Sequence, residues 1–521
     1  MQRKHLVAAA VILALLIPFW PAFEDRAAPM DEGSLLVYPE LILKGQLPYR
    51  DFETFYGPAN PFLLSGVYAI AGPNIFVERT VGLIYRLGIL AALFVLLRRW
   101  GTAIAGGCLL VTSFLLLPIK LPAYAWLGGI MAVLWSLCCI AEVNSARRCF
   151  WGGVLGGIAL LFRVDLAPAV LASALPQFFS MNRTNRWKYI AGVAFALVPL
   201  VWLTAAAGPS QVWNNLFLFP VVLSGPARRL PLDSIQPCVM FLLAAHVVAV
   251  LVNVTAGVLA VRTDRRSAAA RLLLGLALLG LGLSHQAIQR SDLVHVAFAA
   301  FVSLGILPLS LLTIGSRYLR EGPTYRDALL ATAAVLVLLL GILPEFTVYL
   351  RQVALAGLTR PPEEAVFLRQ HERAFPLPSM AVAIRAGRML TRLEEEASPG
   401  QRLFVGPADL RRTNYTDTWI YHMVPQLQPA TYFLEMNPLS ANRPNSRLAS
   451  DVSSADWLVL NREWDSWDER NKSQNFGSSA PSRVVDEQFE LCGHYGPYDL
   501  YRHRETALIN AARNVSTDKA L

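Results

Sequence analysis

The chain has 521 residues, 54% hydrophobic and 16% charged, with a mean hydropathy of +0.42 and a formal net charge of +9. Soluble domains carry roughly 25% charged residues, so this composition excludes an ordinary soluble protein and makes lipid the solvent of much of the chain. The positive balance does not mark a nucleic-acid partner either, because the basic residues alternate between successive links instead of gathering in one patch.

Apolar runs long enough to cross roughly 30 Å of hydrocarbon predict about eleven spans, near 5–22, 79–98, 102–118, 124–142, 150–163, 166–181, 188–207, 236–261, 269–286, 295–314 and 327–345. Arg3/Lys4, Arg98/Arg99, Arg147/Arg148, Arg183/Arg186/Lys188, Arg262/Arg265/Arg266 and Arg317/Arg320/Arg326 fall on one side. Glu24, Asp25, Asp31, Glu32 and Asp51 fall on the other. Excess Lys and Arg marks the cytoplasmic face, which places the N-terminus inside and, with an odd number of spans, the tail outside. MQRKH followed by Leu6–Trp20 also has the look of a signal peptide. It is read as a retained helix because the later loops alternate only if it counts as a span. The six cysteines show neither ligand spacing nor a disulfide framework.

The first external loop, 23–78, has helical apolar spacing over 31–44, interrupted by Pro39. A turn-rich stretch and a second apolar piece, Phe62–Ala71, follow; the latter is too short to span and reads as an interfacial helix. A second external loop, 208–235, carries Trp213, Phe217, Phe219, Arg228 and Arg229, and a third, 284–295, reads SHQAIQRSDLVH. Composition changes at Leu343–Pro344, dividing a membrane body, 1–345, from a soluble external α/β domain, 346–505, and a polar tail, 506–521, expected to be disordered. Within that domain helices are expected over Glu363–Arg373, Pro378–Glu396, 416–424 and 445–455. Strands are expected over 402–407, 430–436 and 456–463, with two more around the last Gly-Pro turn. The fold class is thus mainly α, a polytopic helical membrane protein with a small α/β domain at its C-terminus.

Asp31 and Glu32 open the first loop. One carboxylate could act as a general base whose pKa the other tunes by repulsion; the plainer reading is an acidic loop with Asp31 capping a helix. Arg79 and Arg86, seven residues apart, share a face of the second span. An arginine at this depth needs a partner or a cavity, and guanidinium suits a lipid phosphate. Arg163 and Asp165 invite the same argument, and for each arginine a structural ion pair, Arg163 with Asp165 or Arg79 with Glu78, is the alternative. Arg290, Asp292 and His295 with His285 suggest phosphate or sugar recognition, or simply a polar interfacial turn. The ten-residue histidine spacing fixes no common helix face for zinc, so no metal ligand is assigned, and a divalent cation is left open as a cofactor.

The stretch MDEGSLLVYPELILKGQLPYRDFETFYGPANPFLL resembles the first loop of the GT-C superfamily of membrane glycosyltransferases, in particular the family 39 protein-mannosyltransferase-like and aminoarabinose-transferase-like enzymes. GGVLGGIALLFRVDLAP resembles that family's Gly-rich fifth span, and RSDLVH a late-loop pattern of some bacterial members. The likeness implies Asp31 as catalytic base with Glu32 beside it. It also implies a substrate site drawn from Asp51, Tyr56, Arg79, Arg86, Arg163, Asp165, Arg290, Asp292 and His295. The donor implied is a sugar on a polyprenyl phosphate, and the acceptor a lipid, glycan or protein of the envelope at the outer face of the cell's inner membrane. Where the family often has Pro-Pro, this chain has Gly57-Pro58 and then Pro61, a departure at the start of the short helix. A polysaccharide ligase or polymerase, or a flippase for a lipid-linked sugar, are the competing readings. The absence of visible internal symmetry and the external placement of the polar residues count against a transporter.

Overall fold

The computed structural model describes residues 15–142, 145–232, 235–316, 324–344, 350 and 365–505. The expectations for most of the first span and for the tail after Glu505 lie outside these residues. Every other predicted span is a helix. Seven are long and apolar enough to cross a membrane: Ile75–Trp100, Thr102–Ile119, Arg183–Ala207, Pro237–Thr263, Ala268–Gln289, Leu293–Gly315 and Tyr325–Ile342. Ala125–Ile140, Ala146–Phe162 and Val164–Ser180 are shorter.

Helix starts follow side-chain chemistry. Asn74, Ser145, Asn182, Ser267 and Asp292 each accept a bond from a first-turn amide, and Thr324 with Asp327 forms a capping box. The Arg183–Ala207 and Pro237–Thr263 helices leave Trp187, Phe195, Val201, Trp202, Phe241 and Leu251 exposed. An apolar belt of this extent has lipid as its natural solvent, and the chain is a multi-pass membrane protein.

The first loop is ordered into two helices, Asp31–Leu43 and Ala59–Ala71. The turn between them is built by the PYRDF residues. Tyr49 adopts φ +71°, the Leu47 amide donates to Asp51 Oδ2 at 2.7 Å, and Phe52 stacks on Tyr38 with ring centroids 4.9 Å apart. Gly57 explains the departure at Gly57-Pro58. A Cβ there would sit 2.1 Å from the Leu161 carbonyl oxygen, so the chain passes where only glycine fits. Pro58 then leads into the helix.

Beyond residue 364, a hairpin of β1 (Val366–Gln370) and β2 (Arg373–Leu377) precedes the Met380–Glu396 helix. A mixed five-stranded sheet of β3 (Arg402–Pro407), β4 (Gln428–Pro429), β5 (Trp457–Asn461), β6 (Phe489–Tyr495) and β7 (Tyr498–His503) runs in the order β4-β3-β5-β7-β6. β3 pairs parallel with β4 and β5, while β7 pairs antiparallel with β5 and β6.

Two expectations fail. The helix expected over Glu363–Arg373 is instead the β1–β2 hairpin, with Phe367 stacked on Phe76 of a membrane helix at 5.5 Å. The strand expected over 430–436 is an irregular turn. Its first residue meets the sheet, the Ala430 amide donating to the Leu403 carbonyl at 2.8 Å, but the Tyr432 carbonyl accepts the Glu53 amide at 2.8 Å, so the rest of the segment turns to the first loop.

Candidate active site

Asp31 begins the first-loop helix, and its neighbours converge from four parts of the chain. Its carboxylate feels Arg228, His295, Arg290 and Glu32, and no hydrogen bond to it is found among the described residues. Burial pushes its pKa above the ordinary aspartate value, against the pull of Arg228, His295 and Arg290, while Glu32 adds a push. A carboxylate without a hydrogen bond among the described residues, and made more basic by burial, is suited to receive a proton.

Glu32 does something different. It is buried, it holds Arg79 by Nε to Oε2 at 2.8 Å, and it takes the Ala28 amide at 3.1 Å. Arg79 also donates to the carbonyls of Ala22, Phe23 and Asp25 at 3.2, 2.8 and 2.9 Å. This arginine therefore pins the start of the first loop to the membrane helix. Its ion partner is Glu32, not the adjacent Glu78. Arg86 is likewise buried and donates to carbonyls of Gly82 at 2.7 Å and Ile119 at 3.2 Å. It shapes the link between two helices, and neither arginine presents its guanidinium to Asp31. Asp51 is engaged by Arg50 at 2.7 Å and by its own turn. Of the residues expected at a substrate site, these three have structural partners instead.

The remaining candidates do gather. Arg163 grips Asp165 through two bonds of 2.9 and 2.6 Å and lies between the rings of Tyr56 and Trp126, at 5.3 and 5.1 Å. Tyr56 in turn feels Asp31 and Arg228. Asp292 caps its helix through the His295 amide at 2.9 Å and binds His295 Nδ1 at 2.8 Å, orienting that ring. Arg290 donates to Asp292 at 2.8 Å, to the Arg228 carbonyl at 2.9 Å and to Glu469 at 3.0 Å, with a second bond to the same carboxylate.

Three further functional candidates were not among the site residues expected from the sequence. Arg228 lies in the second loop; among the described residues one bond from its guanidinium is found, to Asn437 at 3.1 Å. Glu435, from the irregular turn, is buried and pushed up in pKa by that burial and by Asp31, against Arg228. Tyr415 places its hydroxyl 3.4 Å from the Met30 amide, one residue before Asp31. Arg228 had a legible signal, a cation in an aromatic-rich loop. Glu435 and Tyr415 had none, since their partners are hundreds of residues away.

The C-terminal sheet region is anchored on the first loop at further points. Arg373 binds Glu40 through two bonds of 2.8 Å, and His422 Nδ1 lies 2.5 Å from the same carboxylate. Asn437 donates to Glu53 at 3.1 Å, and Ser440 donates to its other oxygen. Burial and Glu435 raise Glu53 to about 7, against the bonds from Ser440 and Asn437. Among the described residues no group of three or more His, Cys, Asp or Glu is placed to hold a metal ion.

Comparison with solved structures places this architecture. The fold is shared with ArnT, a membrane protein of known structure. Two crystal structures of ArnT from Cupriavidus metallidurans, one bound to undecaprenyl phosphate and one in the apo state, each superpose with a TM-score of 0.54. Each match covers 96% of this chain and 98% of the other, at 13% identity. No protein-family model and no curated protein sequence matches the chain.

Proposed function

We propose that the protein is a glycosyltransferase that moves a sugar from a polyprenyl-phosphate donor to an envelope acceptor at the outer face of the cytoplasmic membrane. The N-terminus then lies inside, and the division falls between a catalytic membrane body, 1–345, and an external domain, 346–505. The observation that carries this reading is the buried Asp31 carboxylate at the start of the first-loop helix, without a hydrogen bond among the described residues, raised in pKa by burial and acted on by Arg228, His295 and Arg290. ArnT, with the same fold, has been crystallised with undecaprenyl phosphate, which supports a lipid-linked donor.

In this mechanism Asp31 takes the proton of an acceptor hydroxyl as its oxygen bonds to the anomeric carbon. The bond from that carbon to the phosphate oxygen breaks with inversion, and polyprenyl phosphate leaves with the electron pair. Arg228 is the cation with donors to spare for the developing phosphate charge. Arg163, 5.3 and 5.1 Å from the ring centroids of Tyr56 and Trp126, offers a second positive charge. His295, fixed by Asp292, supplies a polar contact to substrate. Tyr56 walls the same space.

The test is transfer of radiolabelled sugar from polyprenyl phosphate to a crude envelope fraction by protein in nanodiscs, wild type against Asp31→Asn. A loss of about 10²–10⁴-fold, the usual weight of a general base, with the fold intact, is expected. Equal transfer by both would remove Asp31 from the mechanism. No transfer from any donor by folded, lipid-bound protein would sink the enzyme reading in favour of transport.

A further inference from the structure

One feature at the rim of the Asp31 neighbourhood has no part in the mechanism above. Tyr415, Trp464 and Trp467 form an aromatic cluster supplied wholly by the C-terminal region. The Tyr415 ring lies 4.5 Å from Trp464 and 5.5 Å from Trp467, nearly parallel to the latter at 18°, while the two indoles meet at 64°. None of the three belongs to a hydrophobic core of the protein. Trp467 is 38% exposed.

The cluster is built, not loose. The Trp464 indole N–H donates to buried Asp417 at 2.8 Å, and that carboxylate also receives Asn461 and the Trp419 indole at 2.6 and 2.9 Å. The Trp467 carbonyl accepts Arg412 at 3.1 Å and Asn414 at 3.3 Å. Two residues on, Glu469 grips Arg290 of the membrane body. The shelf is thereby fixed to the loop that carries Arg290 and Asp292. At its other end, the Tyr415 hydroxyl touches the backbone one residue before Asp31.

Two indoles and a phenol, one ring open to water beside a basic carboxylate, match the chemistry of a sugar ring. A pyranose has one face of C–H groups that packs on aromatic carbon, while its hydroxyls point outward to polar groups and water. The shelf comes from the soluble region, whereas the arginines suited to a lipid phosphate come from the membrane helices and their loops. We propose that Tyr415, Trp464 and Trp467 form the shelf on which a pyranose ring of the acceptor glycan lies, its attacking hydroxyl turned to Asp31. The assignment to the acceptor rests on the transferase reading given above.

The experiment uses the full chain in nanodiscs with Trp467→Ala and Trp467→Phe. The probe is the pool of water-soluble glycans released by mild acid from the source cells' envelope, with binding followed by saturation-transfer NMR. Loss of one stacked ring is expected to weaken binding about tenfold in Trp467→Ala, while Trp467→Phe stays near wild type and both melt as wild type does. In transfer assays the acceptor KM should rise and the donor KM should not. Unchanged glycan binding in Trp467→Ala, or no glycan binding by wild type, overturns the shelf. Competition of the probe by the lipid-linked donor, with a raised donor KM, overturns the acceptor assignment and moves the shelf to the donor sugar. Trp467-dependent glycan binding without any transfer by wild type would uphold the shelf as a glycan site and refute the transferase reading. Normal transfer with both KM values unchanged in Trp467→Ala would do the reverse.

Discussion

Gly33→Ala tests the contact on which the site depends. Gly33 lies in the first turn of the first-loop helix, two residues after Asp31. A Cβ there would fall 2.5 Å from the Trp419 amide nitrogen, 3.0 Å from the Thr418 carbonyl carbon and 3.1 Å from the Thr418 Cβ. Two of these are backbone atoms that cannot rotate away. Restoring ordinary contact requires the two segments to part by about 1 Å. The Trp419 amide bond to the Pro29 carbonyl, already 3.2 Å, would then be broken. Overpacking costs about 1–3 kcal/mol and the lost bond about 1, while alanine in a helix returns about 1. The expected net loss is about 1–3 kcal/mol, read as a lower melting temperature in nanodiscs and faster proteolysis of the C-terminal region. Displacing a catalytic base by about 1 Å costs on the order of 10²-fold in rate, so transfer should fall by more than stability does. Gly66→Ala is the control, since a Cβ there meets nothing within 4 Å. Wild-type melting and wild-type proteolysis of Gly33→Ala would refute the claim that the C-terminal region presses on the helix that carries Asp31.

Other outcomes follow from the same geometry. Arg228→Gln should fold normally and reduce transfer about 10²-fold, as removal of a charge-stabilising donor does, with steady-state kinetics as the check. Arg79→Gln should instead cost about 3–5 kcal/mol by leaving buried Glu32 without its partner, seen as loss of folded protein on extraction. Glu53 has a folded pKa of about 7, above its ordinary value of 4.5. Its contribution to stability is fully present below pH 4.5 and is lost as pH rises through about 7. Melting measured at pH 5.5 and pH 8 should fall with pH in wild type and much less in Glu53→Gln. If Asp31 is the base, transfer should climb with pH through its raised pKa, because the reacting form is the ionised one; a pH–rate profile flat down to pH 4 would count against it.

The membrane body was largely legible, because a run of 17–25 apolar residues has few fates other than a helix in lipid. The first-loop helix was legible through its apolar spacing despite Pro39, which sits inside it. Hidden were the long-range polar pairings. Arg79 chooses Glu32 over Glu78, although Glu78 is its neighbour in sequence, because a helix points adjacent side chains in different directions. The stretch 430–436 has strand composition, but Tyr432 reaches the Tyr49 carbonyl at 2.8 Å and Glu435 faces Asp31, so tertiary bonds override its propensity. Of the residues singled out in the sequence, Arg290 and His295 act on Asp31 and Tyr56 feels it, while Arg79, Arg86 and Asp51 bond within the fold. The shared helix face that suggested Arg79 and Arg86 marked burial, and burial alone does not separate a ligand from a brace.

The clamps between the first loop and the C-terminal region also bear on biogenesis. The segment bearing Asp31 leaves the ribosome hundreds of residues before those that clamp the first loop, Arg373, Trp419 and Asn437. Until those residues are made, that helix has no counterpart to settle against, so the first loop reaches its final packing only after the spans that follow it have been synthesised.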